Sequence, residues 1–147
     1  STTSGMGTTI WSKYKVEKLP IPIAITKVQE EVFEVMAEYL TFLSDDNNPS
    51  INPHSDNASI IPVFEDVANM MVYELYFEQH MKSLDIDVLK FVSNLNFPSL
   101  TKNLMEDSDR IGTAFKWLLE KENPIRQRII LSNIKSDIIA RINATTH

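Results

Sequence analysis

The side chains best suited to chemistry are scarce, beginning with three histidines, His54, His80 and His147. A helix offers two metal ligands on one face when they follow a His-Glu-x-x-His or Glu-x-x-His spacing. None of the three histidines falls in either pattern, so no metal site is predicted. The stretch "EDSDRIG", Glu106 to Gly112, comes nearest to a calcium loop. Counted from Asp107, however, Ile111 stands at the fifth coordinating position and Leu118 where the bidentate acid belongs. It reads instead as a solvated acidic turn that breaks a helix. "DDNNPS", Asp45 to Ser50, lacks the glycine such a loop needs, and the absence of cysteine removes thiolate zinc sites and disulfides alike.

Phosphate chemistry fares no better. Gly5, Gly7 and Gly112 are the three glycines of the chain, and they cannot assemble a phosphate-cradling loop of the P-loop or dinucleotide type. ATP and NAD are therefore not expected. No nucleophile elbow or other local signature gathers a Ser, a His and an Asp. On its residues the chain is not a self-sufficient enzyme, and no catalytic residue is assigned.

Three other features remain. In "PIRQRII", Arg126 and Arg128 flank Gln127 at the first turn of a helix; they serve either a solvated or ion-paired face or, more sharply, phosphate contact. In "MVYELYF" the aromatic and aliphatic residues read as core, with Glu74 a satisfied or exposed acid, against the alternative of a partner-binding groove. The acidic face carrying Glu30, Glu31, Glu34 and Glu38 reads as solvated.

The elements that position these residues follow from periodicity. "STTSGMGTT" is unpatterned, so residues 1–13 read as a flexible terminus or cloning scar. In "IWSKYKVEKLPIPIAI", Pro20 and Pro22 forbid a helix and leave at most one edge strand. From Thr26, a plausible N-cap, Val28, Val32, Val35, Met36, Tyr39 and Leu43 recur at steps of three and four, which predicts a helix to Ser44. The Pro/Asn/Asp/Ser cluster from Ser44 to Ser59 predicts a long polar loop. A second helix is expected from Pro62 through Lys82, and its apolar residues cover more than half its circumference. Ser83 or Asp85 is then expected to cap a short helix bearing Ile86, Leu89, Val92 and Leu95. Ser99 should open another, interrupted between Asp107 and Gly112, with Trp117 to its side. Asn123-Pro124 is an N-cap followed by Pro at the first helical position, and Ser136 restarts the final turn. The sum is an all-α, irregular bundle of five or six helices in one domain over residues 14–147.

Composition sets the outer bounds. A chain of 147 residues buries about 70% of its extended surface, enough for one core. Its 43% hydrophobic and 23% charged residues are ordinary for a globule. The net charge of −6 opposes wholesale coating of DNA, because affinity for phosphate comes from Lys and Arg releasing counterions. No apolar run approaches the about 20 residues a bilayer requires, so no membrane partner and a cytoplasmic location are expected. The sequons at Asn57 and Asn143 are read as chance.

"YKVEKLPIPIAITKVQEEVFEVMAEYLTFL", "VFEDVANMMVYELYFEQHMK" and "ENPIRQRIILSNIKSDIIARI" together resemble the C-terminal region of fused type II restriction-modification enzymes and adenine-specific DNA methyltransferases. The likeness rests on the "LPIP" segment, Leu19 to Pro22, and on the "VYELYF" motif, in which Val72, Tyr73, Leu75, Tyr76 and Phe77 form structural core. It implies a parent enzyme of bacterial defence that uses S-adenosylmethionine to methylate an adenine flipped out of DNA. This chain lacks the Asn/Asp-Pro-Pro-Tyr/Phe motif: Asn48-Pro49 continues as Ser50-Ile51, and Asn52-Pro53 as His54-Ser55. The cofactor loop and nuclease carboxylates are missing too, so no cofactor is expected here.

The resemblance therefore implies a non-catalytic, C-terminal helical domain of a larger polypeptide. Its partners are the remaining domains, which it supports, and DNA reached through the parent, with Arg126, Arg128, Lys135 and Arg141 as candidate backbone contacts. The alternative is an autonomous helical interaction module, an adaptor or antitoxin-like protein whose apolar surplus another chain buries.

Overall fold

The computed structural model describes residues 26–146, so the expected N-terminal edge strand, the "LPIP" segment and His147 lie outside the described residues. Within them the architecture is all-α and strand-free. The helices are α1 (Lys27–Ser44), α2 (Asn57–Tyr76), α3 (Glu78–Ser83), α4 (Leu104–Leu119), α5 (Pro124–Lys135) and α6 (Asp137–Thr146), with a 3-10 turn at Leu89–Phe91.

Helix α1 starts where its sequence signals it. Thr26 Oγ1 accepts the Gln29 amide at 3.1 Å and Gln29 Oε1 accepts the Thr26 amide at 2.9 Å, so both orphan donors are satisfied reciprocally. Val32, Val35, Met36, Tyr39 and Leu43 are buried as their spacing predicts, whereas Val28, in the first turn, is 69% exposed. Helices α1 and α2 form the principal pair. An aromatic chain runs through the core: Trp117 meets Phe97 edge-on at 5.8 Å, Phe97 meets Tyr39 at 6.2 Å, and Tyr39 meets Phe64 at 5.7 Å. Each fully buried side chain of this size contributes about 1.5–3 kcal/mol. The Tyr39 hydroxyl donates to the Pro98 carbonyl at 2.7 Å, and burial pushes its ionisation well above the ordinary phenol range.

Four boundaries depart from the sequence reading. Helix α2 begins at Asn57, not Pro62, because Asp56 accepts the Ser59 amide as its N-cap. Pro62 lies inside the helix; the carbonyl its missing N–H would bond belongs to exposed Ala58, where water can serve it. Asn57 also draws the preceding loop inward, its Nδ2 donating to the Pro49 carbonyl and its Oδ1 accepting the Ile51 amide. The run to Lys82 is two helices, broken at Phe77 with φ −128° and ψ 39°.

The helix expected through Ile86 and Leu95 does not form. Ile86, Val88, Val92 and Phe97 are buried by an irregular segment, Leu95 is 87% exposed, and Asp85 turns the chain at φ 57°. Glu74 replaces the missing ladder, its Oε1 accepting the Val88 and Leu89 amides. Finally, α4 starts after Asn103 rather than Ser99 and runs unbroken through "EDSDRIG". Asp107 is buried, not solvated: it accepts the Thr101 amide and hydroxyl and the Lys102 amide. Those bonds fasten the turn where Lys102 takes φ 73°.

Candidate functional site

Asn123 caps α5 through the Arg126 amide and Pro124 occupies its first turn, which fixes the rotation of the basic residues. Residues two apart on a helix do not face the same way, and Arg126 and Arg128 diverge accordingly. Arg126 is exposed, with Nη1 donating to the Leu119 carbonyl at 2.6 Å. Arg128 turns toward the irregular segment: Nη2 meets Asp85 Oδ1 at 3.2 Å, and the guanidinium lies 4.7 Å from the Phe91 ring centroid. Its side chain is 15% exposed, and its buried Nε has no hydrogen-bond partner. Lys135 donates to the Leu84 carbonyl at 3.2 Å, so with Arg128 it clamps residues 84–91 to α5. Arg141 is exposed on α6. The structure does not gather the four onto one face.

The "VYELYF" residues close α2. Val72, Tyr73 and Leu75 are buried, while Tyr76 and Phe77 are partly buried against the core at the α2–α3 break. Tyr73 donates to Asn143 Oδ1 at 3.1 Å and so ties α2 to α6. Glu74 is buried, and desolvation raises its pKa despite the two amides that stabilise the carboxylate.

His80 Nε2 lies 2.8 Å from Ser136 Oγ, a pairing between residues 56 apart in sequence. The serine is a helix cap: its Oγ accepts the Ile139 amide, and it is buried. Among the described residues no three His, Cys, Asp or Glu side chains gather to hold a metal, and no helix is long and apolar enough to cross a membrane.

Two surface features were not read from the sequence. Ile130 and Ile134, one turn apart on α5, and Ile138 on α6 are exposed aliphatic side chains, Ile134 being 74% exposed. Their four-residue spacing is present in the sequence. Beside Ile130 opens a cleft of about 350 Å³, walled by Val63, Asp66 and Val67 of α2, Leu118 and Leu119 of α4, and Arg126 and Ile129 of α5. A polar lobe of about 240 Å³ adjoins it, sharing Asp66 and Ile129 and reaching Asn69, Tyr73, Ser132 and Asn143. Of the three helices, α2 and α5 each contribute residues three and four apart, so the cleft follows the seam between those two faces. No protein-family model matches the chain, nor does any curated protein or solved structure.

Proposed function

We propose that this chain is a non-catalytic helical domain of a restriction-modification-type DNA methyltransferase, supporting the target-recognition module by docking against the rest of the enzyme. The observation that carries the docking role is the exposure of the aliphatic side chains of Ile130, Ile134 and Ile138 on α5 and α6. Side chains of this kind mark an interaction surface when they are contiguous and rimmed by polar residues. Support is favoured over a dominant DNA contact because Arg128 and Lys135 already spend their charge on Asp85 and the Leu84 carbonyl. The parent enzyme rests on the resemblance of "VYELYF" and its flanking segments. In that reading S-adenosylmethionine, methyl transfer and the cytoplasmic setting belong to the parent, while this chain supplies geometry.

The test uses the complete enzyme. Ile130→Glu with Ile134→Glu should loosen the domain, seen as faster proteolysis at its junction and loss of DNA methylation, while the isolated variant keeps its helical circular dichroism. Unchanged proteolysis and methylation would overturn the assignment. The same exposed aliphatics favour a second reading, an autonomous adaptor or antitoxin-like module whose partner is a separate chain. That reading predicts stable complex formation with a co-expressed partner and no covalent continuation into an enzyme.

A further inference from the structure

Between α3 and α4 the chain runs from Asp85 to Lys102 with no regular element but the 3-10 turn. Its two ends share a conformation found nowhere else among the described non-glycine residues: φ is 57° at Asp85 and 73° at Lys102. A left-handed backbone crowds the Cβ of such residues and persists where surrounding contacts enforce it.

The enforcing hydrogen bonds are of one kind. Among the described residues, the backbone bonds of residues 87–102 close within the segment itself, as from the Val92 amide to Leu89 and from the Phe97 amide to Ser93. Only the Ile86 amide, beside the first end, reaches a helix, at the Met81 carbonyl. The remaining ties are side chains. Glu74 of α2 accepts the Val88 and Leu89 amides, and Tyr39 of α1 donates to the Pro98 carbonyl. From α4, Arg110 donates to the Ser99 carbonyl and Asp107 accepts the Thr101 and Lys102 amides. Arg128 of α5 holds Asp85. The segment buries Ile86, Val88, Val92 and Phe97, whereas every other buried core residue lies on a helix. These clips can part without unwinding a helix, and a unit attached in this way opens at a lower free energy than the helical frame.

We propose that residues 85–102 form a strap that opens as one unit, hinged at Asp85 and Lys102, while the helices stay folded. Opening lets both hinge residues leave the left-handed region. It also carries Phe97 off the rings of Tyr39 and Trp117, whose centroids lie 6.2 and 5.8 Å from its own when the strap is closed. The chain thereby keeps an apolar face behind polar clips. Its residues are not the exposed aliphatics of α5 and α6, so the strap does not rest on the docking role.

The test is amide hydrogen exchange of the full chain in low urea. The Val88, Leu89, Val92, Phe97, Thr101 and Lys102 amides should converge on one opening free energy with one urea dependence, below that of Met70, Met71 and Val72 in α2. Tyr39→Phe keeps the ring and deletes the bond to Pro98. It should speed exchange at Val88 and Leu89 as much as at Thr101 and Lys102, about fivefold, the loss of one hydrogen bond. Acceleration confined to the residues beside Pro98 would be fraying and would overturn the proposal. Strap amides that exchange only together with α2, in global unfolding, overturn it as well, as do strap amides that each exchange independently of urea.

Discussion

The carbonyl oxygen of Ile51 lies where a side chain at Gly112 would begin: a Cβ built on Gly112 would stand 2.9 Å from it. The loop after α1 therefore crosses the middle of α4 at backbone contact distance, and glycine is what lets it do so. Gly112→Ala gains about 1 kcal/mol of helix propensity, so in a freely exposed helix it would stabilise. Here the loop, held by Asn57, must shift, and we expect a net loss of about 1–2 kcal/mol in urea unfolding. A net gain would show that the loop yields without cost.

Glu74 sets a pH dependence whose sign is fixed by burial. Desolvation raises its carboxyl pKa in the folded chain above the unfolded value, outweighing the Val88 and Leu89 amides that lower it. The folded state then binds this proton more tightly, so its contribution to stability is fully present below the unfolded value of about 4.3. It is lost as pH rises through the folded value. Glu74→Gln keeps an acceptor for the two amides but cannot titrate. Relative to this variant, the native chain should lose unfolding free energy as pH rises from 4 toward neutrality; a difference independent of pH would refute the burial effect.

Asp107 gathers three hydrogen bonds from Thr101 and Lys102 at the start of α4. Asp107→Ala strands those donors and releases the turn in which Lys102 has a positive φ. A loss of about 2–3 kcal/mol is expected, near the cost of leaving polar groups of a buried network unpaired. Asp107→Asn should recover part of it, since the amide oxygen still accepts. Equal losses for both would mean that packing, not hydrogen bonding, fixes the turn.

How far the fold was legible depended on the range of the determining contact. The caps at Thr26 and Asn123, and the restart at Ser136, were readable because each bond spans three residues. Asp56 was equally local but was overshadowed by Pro62, whose start signal held no priority once the earlier cap was satisfied. The segment around Ile86 had helical spacing, yet Glu74 reaches it from 15 residues away and Arg128 from 43. No window of sequence contains that competition. Of the candidate site, the individual residues were visible but their sorting was not. Arg126 faces the cleft and Arg128 the core-facing segment because of one helix's rotation against its neighbours, and the cleft itself is a gap in packing that no residue type announces.

That divergence gives the basic residues of α5 opposite expected behaviours. Arg128 stacks on Phe91 and pairs with Asp85, so Arg128→Glu removes the cation–π contact and sets two acids together. It should cost about 2 kcal/mol and raise amide exchange across residues 86–91. Arg126→Glu, at an exposed position whose anchor is one carbonyl, should leave the melting temperature nearly unchanged. The pair therefore separates folding from recognition in a DNA titration followed by fluorescence anisotropy across a salt series. If α5 touches phosphate, Arg126→Glu should weaken binding without unfolding and reduce the salt slope by about one. If the domain supports the enzyme without touching DNA, Arg126→Glu should leave affinity and slope unchanged in the complete enzyme. Arg128→Glu should then lower binding only in proportion to the unfolded fraction. A loss of affinity with Arg128→Glu at full helicity would instead place this guanidinium at the DNA, against the ion pair and ring contact that hold it to residues 85–91.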